Sequence, residues 1–180
     1  MLNVHHIFHG SHIYGPGTRD VVWFRGCTLH CEKCINPELW DKTPENLMTV
    51  AELVSTLHCN EITLLGGEPL QQEDIGELIT RLKEKNIGII LFTGYSLKKI
   101  SLNLSEIVSM CDVVISEPYV DALKDDSLYL RGSSNQIISF NSKRYTKKDF
   151  EKCNSYEVVL SDKSELHGRS KSFVDELLLH

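Results

Sequence analysis

Three cysteines crowd into eight residues: Cys27, Cys31 and Cys34, at C-x3-C-x2-C spacing and directly behind the apolar run Val21-Val22-Trp23-Phe24. The run reads as a strand and the cysteines as a loop at its C-terminal end. Three thiolates can hold three corners of a [4Fe–4S] cluster, whose irons are ordinarily held by four. A missing fourth thiolate leaves one iron open to another ligand, much as an open position marks a catalytic zinc. Three other readings use the same residues. The first is a structural zinc site made of the cysteines plus His30 or another histidine, although zinc motifs usually come as two separated pairs. The second is a redox dithiol at Cys31-Glu32-Lys33-Cys34, which opens no evident helix here. The third is a set of ordinary buried thiols, for which three in eight residues is an unusual density.

A second motif bears on the choice. Glu61-Ile62-Thr63-Leu64-Leu65 is a strand by its β-branched and apolar content and runs into Gly66-Gly67-Glu68-Pro69. Read alone, this is a strand-to-helix turn, with Pro69 suited to a first helical turn and Glu68 favoured by the helix dipole. Together the two motifs resemble the radical S-adenosylmethionine (SAM) enzymes. That resemblance implies a cluster held by Cys27, Cys31 and Cys34, with the methionine half of SAM chelating the open iron. It also implies reductive cleavage of SAM to a 5′-deoxyadenosyl radical. The glycines are then expected to leave room for the amino-acid part of SAM, with Glu68 and nearby carbonyls accepting from its ammonium. One departure is Lys33, which stands where many members have an aromatic residue near the adenine.

Composition narrows the partners. At 180 residues the chain holds one core, and 41% apolar and 24% charged residues fit a globular protein. A formal charge of −6 disfavours nucleic acid. No apolar run approaches a membrane span, and Met1-Leu2-Asn3-Val4-His5-His6 is not a signal peptide. Six cysteines then indicate a reducing, cytoplasmic setting without disulfides. Cys59, Cys111 and Cys153 are isolated and read as spectator thiols, with ligation of an auxiliary cluster as the alternative. His5, His6, His9 and His12 read as a polar strand face, with a metal site as the alternative.

Residues 4–14 read as an edge strand or hairpin, followed by the turn Gly15-Pro16-Gly17-Thr18-Arg19. A helix is expected over 49–57 and another over 71–86, with Ile75, Leu78, Ile79 and Leu82 on one face. The strand Gly88-Ile89-Ile90-Leu91-Phe92 ends at Thr93-Gly94-Tyr95. A helix over 97–110 leads to the strand Asp112-Val113-Val114-Ile115, which ends at Ser116-Glu117-Pro118. Repeated strand–helix order with near-continuous apolar strands predicts a parallel sheet buried on both faces. Every motif sits at a strand's C-terminal end, where βα folds bind ligands. Eight βα units need about 250 residues, so the expected fold is α/β: an incomplete TIM-type barrel, open on one side. One radical SAM domain spans 1–180. Residues 141–180 extend it, with a strand at 156–160 and a helix at 172–179.

The activating-enzyme branch of the family is the nearest resemblance. A GPG-x-R turn like that at 15–19 precedes the first strand there and lies near the cluster. The stretch Asn36-Pro37-Glu38-Leu39-Trp40 resembles its N-P-x-x-W segment, with Asn36 touching SAM or holding the loop. Leu123-Lys124-Asp125-Asp126-Ser127-Leu128 running into Arg131-Gly132-Ser133-Ser134-Asn135-Gln136 is similar to the closing segment of activators of the anaerobic ribonucleoside-triphosphate reductase, as is the Thr93-Gly94-Tyr95 strand end. The likeness covers roughly 12–138. It implies that Thr93 and Arg131 contribute to the cofactor cleft, and that a glycyl radical is installed on the reductase. Flavodoxin or ferredoxin supplies the electron. Against it stand Ser116-Glu117-Pro118, where such activators carry an Asp-Gly-Lys-like sequence, and the extra residues after 140. A radical SAM enzyme for another glycyl-radical enzyme, a peptide or a small molecule stays open. So does a non-enzymatic zinc-binding module. Arg131 to Gln136 also reads as a plain polar loop capping the sheet.

Overall fold

The apolar runs become the strands of one sheet. The computed structural model describes residues 1–151, 156–159 and 165–168. In chain order the strands are β1 (Leu2–Ser11), β2 (Arg19–Phe24), β3 (Leu47–Met48), β4 (Glu61–Gly66), β5 (Gly88–Phe92), β6 (Val113–Ser116) and β7 (Ile137–Phe140). They form an open seven-stranded sheet in the order β3-β1-β2-β4-β5-β6-β7. Helices α1 (Val50–Thr56), α2 (Ile75–Glu84) and α3 (Leu102–Met110) connect the middle strands. The middle strands β2, β4, β5 and β6 are parallel, as the strand–helix repeat requires. The flanks are antiparallel: β1 and β3 on one side, β7 on the other. They follow short or irregular connections rather than crossover helices.

Burial on both faces explains the near-continuous apolar strands. One face packs against the helices through Val22, Phe24, Ile62, Leu64, Ile89, Leu91 and Val114. The opposite face carries Ile90, Val113 and Ile115, covered by Tyr129, Tyr145 and Phe150. The first residues beyond 140 are thus woven into the second core. Phe150 meets Phe140 and Tyr145 edge-on at 5.3 and 6.3 Å, a favoured aromatic geometry. Further on, β8 (Tyr156–Val159) pairs antiparallel with β9 (Glu165–Gly168). The expected helix at 172–179 and Cys153 lie outside the described residues.

Local signals set the helix starts. Thr49 and Glu52 form a reciprocal capping box ahead of α1. The segment expected to be helical from 71 opens instead as a 3-10 turn, Pro69–Gln71, and α2 begins at Ile75. Likewise α3 starts at Leu102, behind the Ser101 cap, rather than at 97.

The turn at 15–19 is not near the cysteines. Arg19 opens β2 and the cysteines follow its far end, so the whole strand separates them. The Arg19 side chain is fully buried. It donates from Nε to Thr63 Oγ1 at 2.6 Å, and also to the Pro16 and Ile62 carbonyls and the Tyr145 hydroxyl. The turn closes the bottom of the sheet. The β1 histidines pair locally: His5 with Glu45, His9 with Asp20 and the stacked ring of His58, and His12 with Thr18. Cys111 is buried, and Cys59 is half-buried beside Asp20.

Candidate active site

Where β2 ends, the chain crosses the top of the sheet and doubles back on itself. Gly26 adopts φ +104 and donates to Leu39 O at 2.8 Å, and Cys27 N donates to Trp40 O at 3.1 Å. The loop bearing the thiols is thereby closed at its base. Leu39, in the 3-10 turn Pro37–Trp40, is buried and anchors the return. Asn36 precedes that turn, and its side chain makes no capping bond. Within the loop a tight turn, Cys34 N to Cys31 O at 3.1 Å, puts Lys33 at φ +54.

The three thiols are free. Cys27 is buried; Cys31 and Cys34 are half-buried. Cys27 Sγ receives the Leu29 amide at 3.5 Å, and the Cys31 sulfur faces the Tyr119 amide. Burial pushes both thiols up, and the nearby negative charge of Glu68 adds to the rise in each. The charge of Cys31 adds to the rise at Cys27, and that of Cys34 to the rise at Cys31. Metal binding reverses the upward push, because the thiolate is the ligand. His30, the fourth donor that a zinc site calls for, instead lays its ring 4.8 Å from that of Trp40. Among the described residues no three His, Cys, Asp or Glu side chains are gathered for a single ion. Three free thiols on one short loop behind β2 are the donor type and number that three corners of a cluster need.

The turn Gly66–Pro69 lies directly beneath this loop. Gly66 has φ +116, and a Cβ there would overlap the backbone N and O of Phe24. A Cβ on Gly67 would lie 2.5 Å from Gly26 O. Gly67 N donates to Phe24 O at 2.8 Å and Glu68 N to Gly26 O at 2.9 Å. The glycines thus let the end of β4 touch the backbone that leads into the thiols. Close packing of two chain segments is therefore one requirement that these glycines meet.

Glu68 is fully buried, and its carboxylate is occupied within the fold. Oε1 accepts from Leu70 N at 3.0 Å and from the Thr93 hydroxyl at 2.8 Å; Oε2 accepts from Gly94 N at 2.8 Å. Burial lifts its pKa to about 7, against the pull of these three donors. Pro69 is buried at the start of its 3-10 turn. Leu29, from the thiol loop, fills the space that a Cβ on Gly94 would take. Gln71 Nε2 reaches Thr28 Oγ1 at 2.8 Å and the Tyr95 hydroxyl at 3.0 Å. Thiol loop, glycine turn and the end of β5 are one constellation.

Arg131 bonds within its own loop, to Gln136 O at 3.2 Å. That loop lies on the segment after β6 through Asn135 Nδ2 to Pro118 O at 2.8 Å. Among the described residues, Gln71 Oε1, Ser116 Oγ, Arg131 Nε and Asn135 Oδ1 are buried without a protein partner, as are Trp23 Nε1 and Arg25 Nε. Such orphans are uncommon and mark places where a bound group completes the set. Ser116, at the C-terminal end of β6, was not among the candidates. The rule that ligands meet parallel strands at those ends flags it.

Residues 13–139 match the family model described as a 4Fe-4S single cluster domain. The chain belongs to this family. Among curated relatives, the anaerobic ribonucleoside-triphosphate reductase-activating protein of Enterobacteria phage T4 is 34% identical over 161 residues, covering 82% of this chain and 100% of the relative. The protein of the same name from Escherichia coli strain K12 is 31% identical over 150 residues, 76% and 97% of the two chains. That of Vibrio cholerae is 27% identical over the same length. The cluster of this single cluster domain calls for thiolates, and its matched stretch contains Cys27, Cys31, Cys34 and the whole Gly66–Pro69 turn. No described helix of this family member is long and apolar enough to cross a membrane.

Proposed function

We propose that this chain is a radical SAM activating enzyme that installs a glycyl radical on an anaerobic ribonucleoside-triphosphate reductase. The observation that carries the reading is three free thiols on one loop at the C-terminal end of a parallel sheet, beside a glycine turn that grips the base of that loop. The names of the curated relatives supply the partner. When bound, the [4Fe–4S] cluster and SAM supply one-electron cleavage and the hydrogen-abstracting radical.

The chain's own residues do the rest. Cys27, Cys31 and Cys34 hold three corners. Gly66 and Gly67 seat their loop on β4, and Glu68 ties that seat to Thr93 and Gly94. Pro69 fixes the exit of the turn, and Asn36 leads the chain out of the thiol loop. Ser116 and Arg131 offer unpaired polar atoms for the rest of the cofactor. The sheet, open between β3 and β7, is read as an incomplete barrel within one domain, with Tyr145 and Phe150 on its inner face and its open side admitting a polypeptide. Flavodoxin or ferredoxin suits the electron supply, and the free cysteines suit a reducing cytoplasm.

Anaerobic reconstitution followed by iron and sulfide assay, dithionite-driven SAM cleavage, and EPR of the reductase tests this. Four irons per chain, cleavage, and a glycyl signal that needs all components are expected, and Cys31→Ala abolishes all three. One zinc and no visible absorbance defeats the reading. SAM cleavage without a reductase radical instead favours another substrate, which the residues unmatched by the relatives and the Ser116-Glu117-Pro118 strand end would then explain.

A further inference from the structure

The turn carrying the second and third thiols is anchored from outside itself. Lys33 holds φ +54 there, a left-handed conformation that glycine adopts freely and other residues resist. Its ammonium reaches Asp121 Oδ2 at 2.6 Å. The other oxygen of Asp121 accepts the Tyr119 hydroxyl at 3.0 Å, and the Tyr119 amide faces the Cys31 sulfur. Residues 119–121 therefore meet the thiol loop twice, at Cys31 and at Lys33.

The same segment is strapped down on its other side. Val120 N donates to Ser133 Oγ at 3.1 Å, and Ser134 N donates to Leu123 O at 2.8 Å. A glycine at 33 would keep the turn, whose closing bond is between backbone atoms, and relieve it. Lysine instead strains the turn and in return attaches it to a loop 88 residues away.

We propose that Lys33 and Asp121 are positioning residues whose ion pair latches the 119–124 segment to the thiol loop, so that the mouth by which a polypeptide reaches the thiols keeps one shape. The identity of that polypeptide rests on the function proposed above; the latch does not.

Full-length, cluster-reconstituted protein is compared as wild type, Lys33→Gly, Asp121→Asn and the charge-reversed double variant Lys33→Asp with Asp121→Lys. Aspartate tolerates the left-handed turn, so the double variant is a fair exchange. Amide hydrogen exchange is followed over 119–136, beside the kinetics of reductase activation and of SAM cleavage without the reductase. Exposed ion pairs hold modestly, so each single variant should quicken exchange at Val120 and Ser134 about fivefold. The KM for the reductase should rise about fivefold in each, with kcat and, for Asp121→Asn, reductase-free SAM cleavage within about twofold. The double variant should restore both, and high salt should loosen wild type but not Lys33→Gly. Unchanged exchange in both single variants overturns the latch. Quickened exchange in a protein that never activates the reductase supports the latch and refutes the proposed function.

Discussion

Across the ends of two neighbouring strands, Glu68 Oε1 accepts the Thr93 hydroxyl at 2.8 Å. Glu68 stands two residues past β4 and Thr93 directly follows β5, so one buried carboxylate ties together the two strand ends beneath the thiol loop. Removing it strands three donors: the Leu70 amide, the Gly94 amide and the Thr93 hydroxyl. At about 1–3 kcal/mol for each orphaned buried group, Glu68→Ala should cost about 3 kcal/mol or more. Glu68→Gln keeps one carbonyl and faces its amide towards Gly94 N, for about 1–2 kcal/mol. Thermal unfolding of the cluster-free protein measures both. An unchanged midpoint for Glu68→Gln would show that the carboxylate is not a fastener.

The same group gives a pH dependence of known sign. Its folded pKa, about 7, lies above the ordinary 4.5. The folded state therefore holds the proton more tightly, and stability from this group falls as pH rises from about 4.5 to 7, then levels off. At about 1.4 kcal/mol for each pH unit between those values, the span is at most about 3.5 kcal/mol. Asp112 acts oppositely and lower down. Burial raises it, but Ser142 Oγ at 2.6 Å, Lys83 Nζ at 2.9 Å and the Ile89 amide at 2.9 Å hold it below its ordinary 3.8. Its contribution is complete above pH 3.8 and is lost as pH falls below that. Denaturant titrations from pH 3 to 8 should show the decline above 4.5 in wild type and not in Glu68→Gln. The acid limb should vanish in Asp112→Asn.

Gly66 admits no side chain. With φ +116 and the Phe24 backbone in the way, Gly66→Ala carries both torsional strain and overlap with atoms that cannot rotate aside. The expected loss exceeds about 3 kcal/mol. Gly94→Ala meets only the end of the Leu29 side chain, which can shift, and should cost about 1–2 kcal/mol. Unfolding midpoints of the two variants rank them, and iron content should follow the same order, because Leu29 belongs to the thiol loop.

Elements and motifs were legible where neighbours in sequence are neighbours in space. Val113-Val114-Ile115 reads as a buried strand, and Cys27 to Cys34 as a loop behind β2, because each needs only local pattern. The purpose of Gly66 was not legible, since its obstacle is Phe24 on another strand. Nor was the role of Glu68, whose partner Thr93 lies 25 residues on. Residues 137–140 contain apolar side chains but half-buried ones, and so weak a pattern could not show that an antiparallel strand ends the sheet. Lys33 looked like a lost aromatic contact until Asp121 was placed beside it.

Arg19 separates stability from cofactor binding. A resemblance put its turn near the cluster, whereas the fold puts it at the foot of β2, under the Tyr145 ring, whose centroid lies 5.8 Å from the guanidinium carbon. Burial lowers its pKa to about 10, with Glu61 opposing the fall, so the guanidinium stays charged at neutral pH. Arg19→Met leaves Thr63 Oγ1, the Ile62 carbonyl and the Tyr145 hydroxyl short of a donor, and leaves Glu61 with Arg144 as its cation. The expected loss is about 3–5 kcal/mol. Arg19→Lys keeps the charge but not the fork, and should recover less than half of that. Because the whole of β2 lies between Arg19 and Cys27, iron and sulfide per folded molecule should equal wild type at low temperature. A variant that unfolds at the wild-type midpoint yet fails to take up iron would move the turn back to the cluster's side of the sheet.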